Sequence, residues 1–253
     1  MRNALAGASL LLGAVYMTHG VITVIDLKRG WHRLGPSHFG LAWIALAFTC
    51  GPHHFEHGLH IAAGERSAGS LELVAVVLGL PAGIIWILLR LEALRGGLGD
   101  RIVAADSRGV RLLPPAAAVW TAAFVAGAIR ILGDGGGAIP TMSPNVLLVV
   151  LYGMIGWSLL KGQLANHAMT GLWSLSGLSI TLVFPTCALM HAAWVVYQIS
   201  GAYDMDAHGL IIDWFGVPAA FYFLWVVRGL QRGEMRDWNE AATGVTLEPV
   251  TPQ

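Results

Sequence analysis

His53, His54, Phe55, Glu56, His57, Gly58, Leu59 and His60 put four imidazoles and a carboxylate into one short run. At about 100° per residue, a helix places His57 about 40°, His60 about 340° and Glu56 about 300° from His53. These four then share a face about 100° wide, and His54 points aside. Histidines at i and i+4 on one face are how a helix chelates a metal, and His60 extends the ladder by a further turn. Pro52 sits at its base and can open the helix there. Cys50 projects near the same face.

The run lies at the end of a long apolar segment. Imidazole and carboxylate are costly in lipid and are kept there mainly to bind an ion, pass a proton or do chemistry. A metal-free interfacial histidine patch is the alternative. The whole chain is apolar: 253 residues, 55% hydrophobic, 12% charged, mean hydropathy +0.63. A soluble domain carries about 25% charged residues. The composition therefore predicts a polytopic membrane protein. Net charge is zero, so no nucleic-acid partner is expected. Cys50 and Cys187 lie in apolar segments, without zinc-finger spacing and too few for a disulfide scaffold.

Seven segments are long enough to span a bilayer: 4–25, 38–62, 71–93, 114–133, 144–165, 174–199 and 209–230. Gly35-Pro36-Ser37 precedes the second, Pro114-Pro115 opens the fourth, and Pro140 and Pro144 bracket the entry to the fifth. The first is read as a membrane helix, because no small-x-small cleavage site follows it before Asp26-Leu27-Lys28-Arg29. Most Lys and Arg fall after the first, third, fifth and seventh segments, from Lys28 and Arg29 to Arg232 and Arg236. The other side has Arg2, Arg66 and Arg130. The positive-inside rule then predicts an all-α seven-transmembrane-helix bundle in the cell membrane, N-terminus outside and C-terminus cytoplasmic. Residues 1–232 form the transmembrane domain and 233–253 a mobile polar tail. The connection 94–113 is expected to hold a short amphipathic piece. Pro52, Pro81, Pro185 and Pro218 fall inside segments; they are ordinary membrane-helix prolines or the kinks around a cavity. Gly79 and Gly83 suit close helix packing.

Counting about 1.5 Å per residue gives a common depth to groups on different segments. Glu72 near the top of the third, His191 about eight residues before the end of the sixth, His208 at the lip of the seventh and Asp213 one turn inside it all fall level with 53–60. The candidate metal ligands are His53, Glu56, His57, His60, Glu72, His191 and His208. Imidazole and carboxylate suit Zn, Fe, Mn or Cu. Cys187, Met190 and His191 share a face, and if they join the site their softness tilts it toward copper. Each has a plainer reading: His191 as a satisfied core histidine, His208 with Asp204 and Asp206 as a solvated loop, the cysteines as small buried residues. His19, His38 and His167 lie near the opposite depth and form either helix contacts or a second site.

The stretch from His53 to Gly64 resembles the metal motif on the fourth helix of ZIP transporters, roughly His-Asn-Phe-x-Asp-Gly-Leu-Ala-x-Gly-Ala. His53, Phe55, Gly58 and Leu59 match; His54 stands where Asn and His57 where Asp would be. The likeness covers this stretch alone: those transporters have eight helices and a second motif on the next one, where this chain offers only Glu72. The helix count is similar to that of the seven-helix zinc hydrolases of the alkaline ceramidase group, which place a histidine pair on the last helix where this chain has His208. It is also that of microbial rhodopsins, but no lysine follows Lys161 to hold retinal.

Three functions follow as expectations. The first is transport or handling of a transition metal. The second is a metal-dependent membrane enzyme acting on a lipid or small apolar substrate, with Glu56 or Glu72 as base. The third is a b-type haem electron-transfer or accessory subunit, since His38 and His53 lie about 22 Å apart along one helix. Partners are the lipid bilayer and a metal ion, with a homo-oligomer or a larger membrane complex compatible with the ten tryptophans.

Overall fold

The computed structural model describes residues 1–65, 69–104, 139–199 and 207–235, with the single positions 115, 122 and 237. For 104, 139–143, 207 and 208 the backbone alone is described. The described chain is all-α but for a two-stranded ribbon. Its helices are α1 (Arg2–Leu34), α2 (His38–Ala63), α3 (Ser70–Leu94), α4 (Ile139–Thr170), α5 (Leu175–Ile199) and α6 (Ala207–Gln231). α1, α3, α4, α5 and α6 are long and apolar enough to cross a membrane. α2 is as long, but its histidines and Glu56 lower its hydropathy. The expected fourth span, 114–133, and the tail beyond 237 lie outside the described residues.

Helix α2 is bounded by its own sequence. The Ser37 hydroxyl accepts the Gly40 N–H at 2.9 Å, which satisfies one orphan donor of the first turn. Gly64, at φ 87°, closes the other end in the left-handed conformation that favours glycine. Arg2 donates to the carbonyls of Ile61 at 2.8 Å and Ala62 at 3.1 Å, a cation on the negative end of the helix. This ties the start of α1 to the end of α2.

Other limits differ from expectation. α1 runs to Leu34, so Asp26, Lys28 and Arg29 are helical, and α4 begins before Pro144 and ends past 165. Span length reports apolar thickness, whereas a helix continues while its backbone bonds remain local. Within 94–113, the described part holds a strand rather than an amphipathic helix. Ile102–Ala104 (β1) pairs antiparallel with Leu172–Ser174 (β2), Val103 opposite Trp173. Asp100 docks this ribbon by accepting the Ser174 hydroxyl at 2.6 Å and the Ser176 N–H at 2.8 Å. Burial pushes the Asp100 carboxyl up, but these bonds and the Arg101 N–H outweigh it and hold the group below its ordinary value.

Packing closes a ring: α1 lies on α2, α2 on α6, α6 on α4, α4 on α5, α5 on α3 and α3 on α1. Small residues set the close approaches. A Cβ on Gly79 would stand 3.0 Å from Thr186 and one on Gly83 3.0 Å from Val15, so the expected glycine pair does seat α3 on α5 and α1. A seam with close backbone approach runs between α1 and α2. A Cβ on Gly13 would lie 2.6 Å from Phe55 and 2.9 Å from the Gly51 carbonyl. Backbone cannot yield as a side chain does. Gly13→Ala is therefore expected to cost about 1–3 kcal/mol, the cost of overpacking. Gly7→Ala, with nothing within 4 Å, is expected to be neutral or stabilising by up to about 1 kcal/mol. Thermal unfolding of both variants in detergent checks this; equal midpoints would refute the seam.

Candidate functional site

Inside the ring, at the end where α1, α3, α4 and α6 begin and α2 and α5 end, the polar side chains are paired across helices. His53 Nδ1 lies 2.9 Å from Asp213 Oδ1, linking α2 to α6. His57 Nε2 meets Glu72 Oε1, linking α2 to α3. His191 Nδ1 donates to Asn145 Oδ1 at 2.6 Å, linking α5 to α4, and the Asn145 amide hydrogen-bonds Asp213 in turn. All six are essentially buried.

Trp194 joins the pairs. Its indole N–H donates to Glu72 Oε1 at 2.9 Å. Its ring stacks on His53 at 4.4 Å and 17° and meets His57 at 5.3 Å and His191 at 5.0 Å. Charged groups are tolerated away from water only when paired and hydrogen-bonded, and each carboxylate here has an imidazole and a further donor.

The structure thus gathers His53, His57, Glu72 and His191 from the sequence candidates, together with Asp213. It places Glu56 and His60 apart, at the partly exposed rim, where His60 Nε2 lies 2.9 Å from Glu56 and His60 Nδ1 meets Glu65. His208 stands at the start of α6, and its side chain lies outside the described residues, as do Asp204 and Asp206. His191 is hydrogen-bonded, as the plainer reading expected, but within this polar layer rather than alone in an apolar core.

His54 has a packed surrounding of its own. It does point aside from His53, but α1 packs on that side. The ring is 1% exposed and 5.5 Å from Tyr16. Neither ring nitrogen has a hydrogen-bond partner among the described residues.

His53, His54, Cys50, Cys187, Met190, His191, Tyr152 and Asp213 line one small cavity of about 10 Å³, near the minimum that holds a single water. Both thiols reach tyrosines: Cys50 Sγ lies 3.0 Å from the Tyr152 hydroxyl and Cys187 Sγ 3.2 Å from that of Tyr16. Among the described residues, no three His, Cys, Asp or Glu donors converge on one ion-sized point in this arrangement.

Sequence reasoning missed Trp194, Asn145, Tyr152 and Tyr16. Trp194 has a readable signal, three residues past His191 and seven past Cys187 on one face. The other three are single polar groups on apolar faces and have none.

The remaining histidines take separate partners. Trp43 donates to His19 Nδ1 and Trp86 packs 4.1 Å from the same ring. His38 Nδ1 lies 2.9 Å from the Tyr222 hydroxyl. His167 stacks on Trp173 at 4.3 Å. At the basic end of the ring, a cavity of about 390 Å³ is lined by His19, Thr23, Asp26 and Arg90, with Asp26 and Arg90 paired at 2.8 Å. Trp43, Trp86, Phe184 and Phe223 pack between it and the histidine layer.

Fold and site together describe an apolar multi-helix protein of membrane character, with buried histidine–carboxylate pairs at one end. Compared with protein-family models, curated proteins and solved structures, the chain matches none.

Proposed function

We propose that the protein binds a transition metal ion within this histidine layer and handles it as cargo across a membrane. One observation carries the reading. His53 and His191 are each held at Nδ1 by a buried oxygen, of Asp213 and Asn145, and both line the same cavity. A donated Nδ1–H makes Nε2 the lone-pair nitrogen, which is the support that metal-ligating histidines use. His57 and Glu72 supply an adjoining donor pair, and Glu56 and His60 an entry at the rim.

In this reading the bundle has seven helices, with the N-terminus outside the cell membrane and the C-terminus in the cytoplasm. The basic end then faces inward. The His19–Thr23–Asp26 cavity is the exit, and the aromatic layer must open to connect the two. An ion entering the layer displaces protons from its ligands, so uptake is expected to be proton-coupled.

A second reading, a metal-dependent enzyme acting on a lipid, is favoured by a crevice of about 540 Å³ between α2 and α6. Its lining includes Thr49 and Ile212, which also line the small cavity. An apolar substrate could reach the histidines there from the side.

The test is elemental analysis and an absorption spectrum of detergent-purified protein. About one Zn, Cu, Fe or Mn per chain with no Soret band is expected, falling to background in His57→Ala. Unchanged stoichiometry in that variant would remove His57 from the site, and no metal in the parent protein would sink the reading. In reconstituted vesicles, lost flux in the variant identifies cargo; unchanged flux with lost lipid turnover identifies the enzyme.

A further inference from the structure

We infer that the cavity of about 390 Å³ at the basic end binds a small, neutral, planar heterocycle with an amide edge, a C=O beside an N–H, as in a pyrimidinone or purinone ring. The site lies across the aromatic layer from the histidine pairs and does not depend on the metal reading.

Three helices build the polar side of this cavity. α1 contributes His19, Thr23 and Asp26, α2 contributes Trp43, and α3 contributes Trp86 and Arg90. Small-molecule sites commonly measure about 300–1,000 Å³ and combine apolar walls with a few convergent polar groups. Trp43 and Trp86 are buried and meet edge to face at 4.1 Å. They give the cavity an aromatic wall against which a flat ring can lie.

His19 asks for a ligand oxygen. It is 3% exposed. An indole N–H can only donate, so the bond from Trp43 makes His19 Nδ1 the lone-pair nitrogen and leaves the ring proton on Nε2. Nε2 has no hydrogen-bond partner among the described residues. A buried donor without an acceptor carries an uncompensated desolvation cost, which a carbonyl oxygen in the cavity would offset.

Asp26 and Arg90 complete the edge. Arg90 donates to one Asp26 oxygen at 2.8 Å. The guanidinium has further N–H groups and the carboxylate a second oxygen. The pair therefore presents donors beside an acceptor, the complement of an amide.

Charge selects a neutral ligand. Among the described lining residues Asp26 and Asp237 outnumber Arg90, which disfavours an anion. The helix starts at the cavity do not reverse this, because their N–H groups are taken. In α2, Phe39 donates to Asp237 at 2.8 Å and Gly40 to Ser37. In α5, Ser176 donates to Asp100 and Gly177 to Ser174. A simple ammonium would satisfy the carboxylates but offers His19 and Arg90 no acceptor. A neutral amide-edged ring meets all of these groups.

The experiment is isothermal titration calorimetry of the detergent-purified chain, in EDTA, with uracil and with hypoxanthine at millimolar concentration. Saturable binding of at least one probe is expected, at about one per chain. The N-methylated counterparts keep the ring and carbonyl but lose the amide N–H, and should bind about tenfold more weakly. Asp26→Ala and His19→Phe should each weaken binding by about the same factor. No saturable heat from either probe overturns the site. Binding that methylation and both variants leave unchanged also overturns it, since that is partition into the micelle. If His19→Phe fails to fold, the partly exposed Asp26→Ala and the methylated probes decide. Metal content is measured separately on the same preparation, so failure of this site and failure of the metal reading are told apart.

Discussion

Glu72→Ala is expected to destabilise the detergent-solubilised protein by about 3–5 kcal/mol, the cost of removing one partner of a buried ion pair. Glu72 is 1% exposed. It receives His57 from α2 and the Trp194 indole N–H from α5, so one carboxylate pins three helices. Truncation leaves an imidazole and an indole donor buried without their acceptor. Glu72→Gln separates charge from hydrogen bonding. Its amide oxygen can still accept from Trp194, so the loss should be limited to about 1–2 kcal/mol. Unfolding midpoints by intrinsic fluorescence measure both. Equal losses would mean that the charge rather than the hydrogen bond carries the contribution, and no loss in Ala would mean that the pair does not hold the ring together.

Trp194→Ala is expected to cost a similar amount, about 3–5 kcal/mol, as large-to-small changes at fully buried aromatics do. Trp194 is fully buried and is the shared wall of His53, His57 and His191. Its removal leaves a void into which these imidazoles can turn. Metal uptake is therefore expected to fall even at temperatures where the variant is folded. Trp194→Phe keeps most of the volume but loses the N–H to Glu72; a loss of about 1–3 kcal/mol follows as the buried carboxylate keeps His57 but loses one of its two donors. Thermal unfolding and metal stoichiometry measured together test this. A folded Trp194→Ala protein with full metal content would show that the wall does not position the ligands.

Much of the layer is legible in the sequence because depth along a helix is arithmetic. Counting residues put Glu72, His191 and Asp213 level with His53 and His57, and the structure brings these five together around Trp194. The wheel placed His53 and His57 on one face, and both contact that ring. It put His54 aside from them, as the structure does, but a side pointing away from one neighbour can point toward another. Only the packing of α1 on α2 makes that side an interior.

Pairing itself was not legible. Sequence offered His53, Glu56, His57 and His60 as one ladder, whereas the structure divides it. His53 and His57 reach inward to Asp213 and Glu72, and His60 turns to Glu56 and Glu65 at the rim. A carboxylate one turn away competes with one on another helix, and burial decides between them. His60 stays partly exposed, while His53 and His57 are inside.

What the sequence determined by itself is local: long apolar runs that must be helical in lipid, because each backbone group finds its partner within four residues, and the faces on which the imidazoles lie. Tertiary structure decided the rest. Glycines such as Gly13 let α1 close on α2, and the order α1–α2–α6–α4–α5–α3 set Asp213 against His53 and Asn145 against His191. The same closure turned Cys50–His54 toward Cys187–His191. Those contacts join residues tens to more than a hundred positions apart, and helical periodicity carries no information about which face will meet which.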